Sequence, residues 1–390
     1  MARADSSMMD LAYSEETTYA TAPTGNYTRF RVTGESLKQD TSTAISAEIR
    51  NDRQVSDVVR TNISASGDVS VELSYGAHDD LFEAGLLSAD WVAELAVDVA
   101  DTGISASTVD DSFNHTSAWG NDPTTGRWIK VSGFADAANN GYFKVTGTVT
   151  TQKILVADAS LTTVVAGPAI TITQGAYIQN GTEFRSFAIE KQFTDLTNEF
   201  QSYLGMVVDG FTINIATESL INGSFSFMGK SCTSASASAG TFVDNSANEV
   251  MNAIDDVFAI SEGDADIGNG STVVGASLTI ANNMRTRMAV GTLGAVDVGK
   301  GTLNVTGSLQ VYLESEAMID KYLNFTASEL TIVFEDSTGK GYVIEIPSVR
   351  YTSGQTVAGG QNEDIIVDLE FTAHINSTDS RTIQISRYTA

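Results

Sequence analysis

The side chains best able to do chemistry are few and far apart: His78, His115, His374 and the single cysteine, Cys232. A zinc site or a catalytic triad draws on several such groups, usually two of them at a short spacing on one turn or strand. None of the four has a His or Cys neighbour at that spacing. Acidic residues are abundant, 49 in all, so any two could be drawn as an acid/base pair and no spacing singles one pair out. One stretch, Gly294-Ala-Val-Asp-Val-Gly299-Lys300-Gly301-Thr302, approaches the phosphate-loop pattern with an extra glycine before the threonine. A phosphate loop must run into a helix whose first amides face the phosphates. Here Leu303 to Val311 alternates as a strand, so the stretch reads as a turn. The expectation is no catalytic residue, no metal and no cofactor, with Cys232 a semi-buried free thiol.

The elements that would position any site are strands. Of 390 residues, 42% are hydrophobic, only four are proline and 33 are glycine, and Thr, Ser and Val are plentiful. That composition fits a mainly β protein with real cores and tight turns. A net charge of −27 argues against a surface built to neutralise phosphates. Two segments stand apart from this acidic body. Lys38 to Ile63 and Thr279 to Leu303 together carry Lys38, Arg50, Arg53, Arg60, Arg285, Arg287 and Lys300 against Asp40, Glu48, Asp52, Asp57 and Asp297. The N-terminus has no apolar core and no run is long enough to span a membrane. A soluble chain made in a cytoplasm is expected, with no membrane partner.

The segment Gly34 to Tyr75 recurs about 240 positions later. Ser36-Leu37 falls on Ser277-Leu278, and SASGDVSVEL falls on NVTGSLQVYL, with Gly67 on Gly307, Val71 on Val311 and Leu73 on Leu313. In each copy a long polar arm is held between two strands. A short helix follows in each, over Ala77–Leu87 with Asp79 and Asp80 in its first turn, and over Ser315–Leu323 with Ser315 as N-cap. Three further strands follow in the same order: Arg185–Lys191, Leu204–Ile215 and Glu218–Met228 in the first copy, Ser328–Phe334, Lys340–Arg350 and Glu363–Ala373 in the second. This predicts two tandem β-sandwich units, each with a short helix and a long hairpin arm. The bounds read as an N-terminal arm over 1–27 with little structure of its own, a split first unit over 28–100 and 180–262, and a second unit over 271–390. Between them, 101–179 forms a small all-β insertion, marked by Gly126–Gly133, the turn Asn139-Asn140-Gly141, Tyr142–Thr146 and Lys153–Ala157. Leaving and rejoining the first sandwich, the insertion is expected to project outward from it. A weaker helix is expected over Ala247–Phe258, leading through the linker Gly263 to Gly270.

The segment Ser46–Arg60, with Ser186–Asp195 and Gly223–Lys230, resembles the major tail tube proteins of long-tailed bacteriophages. The resemblance covers about Tyr13 to Lys230, and reaches the rest through the internal repeat. It implies a structural virion protein, not an enzyme, whose sandwiches close into rings stacked as a tail tube, an acidic channel through which double-stranded DNA passes without specific binding. It also implies tape measure, terminator and distal tail proteins as partners, and synthesis in the host bacterial cytoplasm. Because tubes of this kind close with six sandwich units, a chain supplying two implies a homotrimer with pseudo-sixfold symmetry, the homohexamer being the alternative. The arms, with Arg50, Asp52, Arg53, Asp57, Arg60, Arg285 and Arg287, are the candidate ring-stacking contacts. A cell-surface β-sandwich adhesin or shaft protein is the other reading that the composition allows.

Overall fold

A computed structural model describes residues 3–150, 152–157, 161–263, 265–266, 273–314, 316–357, 360–362 and 364–389. Ser315 and most of the Gly263 to Gly270 linker lie outside the described residues. The described residues are mainly β, with two short α-helices, and the chain forms two compact units. Unit 1 comprises Met1–Leu87, Gly181–Val250 and Ser277–Gly307, and unit 2 comprises Ser88–Asn180, Met251–Ala276 and Ser308–Ala390.

In unit 1 an antiparallel sheet runs Asn26–Arg29, Met9–Glu15, Phe187–Phe193, Phe200–Ala216, Asn222–Gly229 and Val58–Glu72. The last strand also carries Val32–Glu35 and Lys38–Ile45. The N-terminal segment, expected to be a loose arm, instead supplies a strand paired along its whole length with Phe187–Phe193. Its Leu11, Ala12 and Tyr13 are buried, and burial of such a run outweighs the polar composition around it.

Unit 2 repeats this plan. Val257–Glu262, Ser328–Glu335, Gly341–Val357 and Ile366–Ala373 pair in order, and the strand Asn304–Tyr312, which belongs to unit 2 from Ser308 on, lies beyond them. The agreement reaches individual backbone irregularities. The longest strand of each copy, Phe200–Ala216 or Gly341–Val357, has 17 residues. Each shifts register first where it pairs with the preceding strand, between Phe187 and Ile189 or Ser328 and Leu330. Each then bulges against the following strand, at Asp209 or at Thr352. Bulges sit at defined positions and re-aim a strand, so two in equivalent places mark one unit used twice.

The helices correspond as well. Asp79–Gly85 and Ala317–Leu323 are each seven residues long, and each is followed after one residue by a non-glycine at positive φ, Leu87 at 49° and Phe325 at 52°. Their packing trades bulk for space. A Cβ on Gly85 would meet the Phe211 ring at 2.6 Å, and one on Gly354 would meet the Tyr322 ring at 2.7 Å, so the small partner lies on the helix in one copy and on the strand in the other. The helix expected over Ala247–Phe258 does not form. Asn252 Oδ1 accepts from the Ile254 and Asp255 amides and Asp256 Oδ2 accepts from the Asn252 amide. These side-chain bonds hold a turn in place of a helical one, and Val257–Glu262 continues as a strand.

The insertion interrupts the first copy in sequence yet belongs to unit 2. Its seven-stranded sheet is ordered Leu95–Asp101, Ile170–Gln174, Trp128–Ser132, Gly141–Thr150, Lys153–Val156, Ser112–His115 and Ile104–Ser107, around a core that includes Phe113, Ile129, Val145, Ile154 and Ile172. Ala176–Gln179, just beyond this sheet, pairs with Gln384–Tyr388. Buried ion pairs add to that attachment: Lys144 Nζ lies 2.6 Å from Glu345 Oε1 and 2.9 Å from Glu329 Oε2, and Arg381 Nη2 lies 2.7 Å from Glu345 Oε2.

Candidate assembly surfaces

The hairpin of Lys38–Ile45 and Val58–Glu72 carries the first arm. Its register ends at Ile45 opposite Val58, and the Ser46 amide donates to the Asp57 carbonyl at 3.0 Å, closing the base of the tip. Five of the predicted site residues come together here. Arg50 donates twice to Asp52, at 3.0 and 2.7 Å, which raises the guanidinium pKa and lowers that of the carboxyl. Arg53 turns the chain at φ 59°. Asp57 Oδ1 accepts from the Val58 amide, and Arg60 sits opposite Thr43 on the strand. All five are exposed, as are Ile45, Ile49, Val55, Val58 and Val59. Aliphatic side chains clustered in water on one arm mark a contact surface.

Arg285 and Arg287 lie elsewhere, on a small hairpin of Arg285–Arg287 with Asp297–Gly299. Arg287 pairs with Asp297 at 2.6 Å, and both arginines are exposed. The base of this second arm is docked within unit 1. The Asn282 amide donates to the carbonyl of the bulged Asp209 at 2.7 Å, the Met284 amide to its Oδ1 at 2.7 Å, and Asn282 Nδ2 to the Gly85 carbonyl at 2.8 Å. Met284 and Val298 close with Leu87 and Val207 into a buried cluster. The phosphate-loop-like stretch is part of this arm. Ala295 and Val298 are buried and Asn304–Tyr312 follows as a strand, so no helix start is presented.

The sheet face turned away from the core of unit 1 carries Ser70, Glu72, Thr212, Asn214, Asn222 and Ser224 around a shallow groove. On the matching strand of unit 2, Asp368, Glu370 and Thr372 are exposed. None of these side chains is cationic.

Among the described residues, one set of metal-capable side chains converges, which spacing along the sequence had not revealed. Asp98, Asp101 and His115 offer ligand atoms within 4.8 Å of one another. The turn that follows Leu95–Asp101 and the pairing of Ile104 with His115 bring them together, and sequence distance carries no such signal. The donor set does not suit a metal. His115 Nδ1 accepts from the Ser117 amide at 2.9 Å, so in the neutral ring the proton sits on Nε2, 3.2 Å from Asp101 Oδ1. A ligating histidine instead donates through its other nitrogen. The Gly103 amide, and then His115, hold Asp101 below the usual carboxylate range. His78 is buried, with Nε2 3.1 Å from the Glu72 carbonyl, and burial lowers its pKa to about 4. His374 Nε2 meets Ser348 Oγ at 3.1 Å. Burial raises the pKa of Cys232, the opposite of what a reactive thiol needs.

No curated protein matches the chain. The family model described as phage tail tube protein matches residues 6–373. The chain therefore belongs to the phage tail tube protein family, structural components of the virion tail that self-assemble.

Proposed function

We propose that three copies of this chain close into a ring of six sandwich units, and that rings stack through the Ser46–Asp57 arm tip into a tube that conducts double-stranded DNA. The observation that carries the reading is the duplication, equivalent down to the bulges at Asp209 and Thr352. One chain then does the work of two single-unit subunits, and the ring interface is heterologous and closes at three. The uncharged and acidic open sheet face, with Glu72, Asp368 and Glu370, suits a lumen. Like charge keeps phosphates from binding, and no counterions are released to hold them. The arm tip combines exposed aliphatics with mixed charge and suits a contact with the next ring. Tape measure, terminator and distal tail proteins are the partners expected at the ends and inside. Electron microscopy of the purified protein tests this: stacked rings or hollow tubes support it, and a monomer at every concentration and salt tried refutes it.

A further inference from the structure

The two arms have different fates within one chain, and the difference defines an interface. The second arm, through Asn282, Met284 and Val298, sits on the bulge of Phe200–Ala216 and over the residue that follows the first helix. Beneath this cover Leu87 is only 7% exposed. Its equivalent in the second copy, Phe325, is 55% exposed, and Leu323 at the helix end beside it is 68% exposed. The equivalent bulge residue, Thr352, is exposed too. The second copy thus presents the same docking surface with the cover missing.

The missing cover exists elsewhere in the chain. By the sequence repeat, Thr41 corresponds to Asn282, Thr43 to Met284 and Val58 to Val298. Every residue of Lys38–Ile45 is exposed, and among the described residues that strand pairs with Val58–Glu72 along one edge. Two exposed apolar sets, Ile45, Val58 and Val59 on the arm and Leu323 and Phe325 at the helix end, match the two halves of a contact that is buried once already.

We infer that the Lys38–Ile45 arm base of one chain docks on the Thr352 bulge and the Leu323–Phe325 patch of a second copy. The other edge of Lys38–Ile45 adds to Gly341–Val357 as an extra strand. Arm amides near Thr43 donate to Thr352, and Val58 covers Phe325 as Val298 covers Leu87. One departure sets a limit on the register. Ser353 stands where Gly210 lets the Ile280 carbonyl approach, an ideal Cβ there lying 2.1 Å from that oxygen, so the docked arm sits farther out at this point. The inference rests on the ring reading and specifies which faces meet: each junction between chains repeats the contact made inside unit 1.

The test is a cysteine pair, Thr43→Cys with Thr352→Cys, on a Cys232→Ser background, oxidised after assembly is verified by electron microscopy. The expected result is a ladder of covalent multimers on non-reducing gels, absent from either single cysteine variant. Assembled rings without that ladder, or a disulfide confined to single chains, overturn the inference while leaving the ring reading intact. Failure to assemble even without the substitutions overturns both. An independent variant, Phe325→Asp, should keep the wild-type circular dichroism spectrum and thermal midpoint as a monomer yet lower ring yield at least tenfold. Unchanged yield contradicts the inference.

Discussion

Removing the ammonium of Lys144 is the sharpest perturbation of unit 2. Its Nζ sits 2.6 Å from Glu345 and 2.9 Å from Glu329, and the Glu345 side chain is fully buried. In the variant Lys144→Met, Arg381 at 2.7 Å is the ion-pair partner left to Glu345 among the described residues. Breaking a buried pair by deleting one member costs about 3–5 kcal/mol, because the other charge is left without compensation. For a unit of this size each kcal/mol lowers Tm by about 2–4 °C, so a fall of roughly 6–20 °C is expected. The assay is unusually clean. All three tryptophans, Trp91, Trp119 and Trp128, lie in unit 2, so their fluorescence follows this unit alone. Adding Glu345→Gln to Lys144→Met should recover part of the loss, since the stranded carboxylate is then gone. The pH dependence has a definite sign. Burial pulls the Lys144 pKa down, but Glu345 and Glu329 outweigh it and leave the pKa raised. Its stabilising contribution is therefore complete below the unfolded value, 10.5, and fades as pH rises through the higher folded value. Lys144→Met should abolish that alkaline sensitivity. A tryptophan-detected melt within about 1 °C of wild type would refute the reasoning.

In unit 1, His78 titrates near 4 when folded against 6.5 when unfolded, so its contribution is intact above pH 6.5 and lost on acidification towards pH 4. By linkage the loss approaches about 3 kcal/mol, and urea titrations at pH 7 and pH 4.5 should show a smaller drop for His78→Gln than for wild type. Leu81 is fully buried on the core face of the first helix, and Leu81→Ala should cost about 2–5 kcal/mol in the same titrations at pH 7. Arg53→Glu at the arm tip should stop tube elongation with rings still formed, as counted in micrographs. Normal tube lengths would make the arm tip a solvent loop. Deleting 101–179 outright should destabilise unit 2, because it removes both Lys144 and the strand Ala176–Gln179. A deletion that keeps that strand and adds Glu345→Gln should restore soluble protein, measured as yield after centrifugation.

Much of the fold was legible because the repeat is carried by side-chain alternation. Gly67 on Gly307 and Val71 on Val311 align strands that the structure places equivalently, and the helix at Asp79 is announced by its first-turn acids. What could not be read is long-range pairing. Leu11-Ala12-Tyr13 looks like any short apolar run until Phe187–Phe193 lies beside it, and Asn252 looks helical until its side chain captures the Ile254 amide. Similarly, Lys144, Glu345 and Arg381 are ordinary surface residue types whose convergence follows only from the packing of two sheets. The arm residues Arg50, Asp52, Arg53, Asp57 and Arg60 were recognisable from charge contrast with the acidic body. The unequal fates of the two arms were not, since their sequences differ little in polarity and only the docking of Asn282 and Met284 separates them.

The central claim, that one chain carries two of the six units of a ring, is tested most directly by averaged end-on views of assembled tubes. The account predicts threefold symmetry with a sixfold pseudo-repeat of the wall and three peripheral densities per ring, one for each insertion. Six such densities, or a wall in which all units are equivalent by true sixfold symmetry, would contradict it.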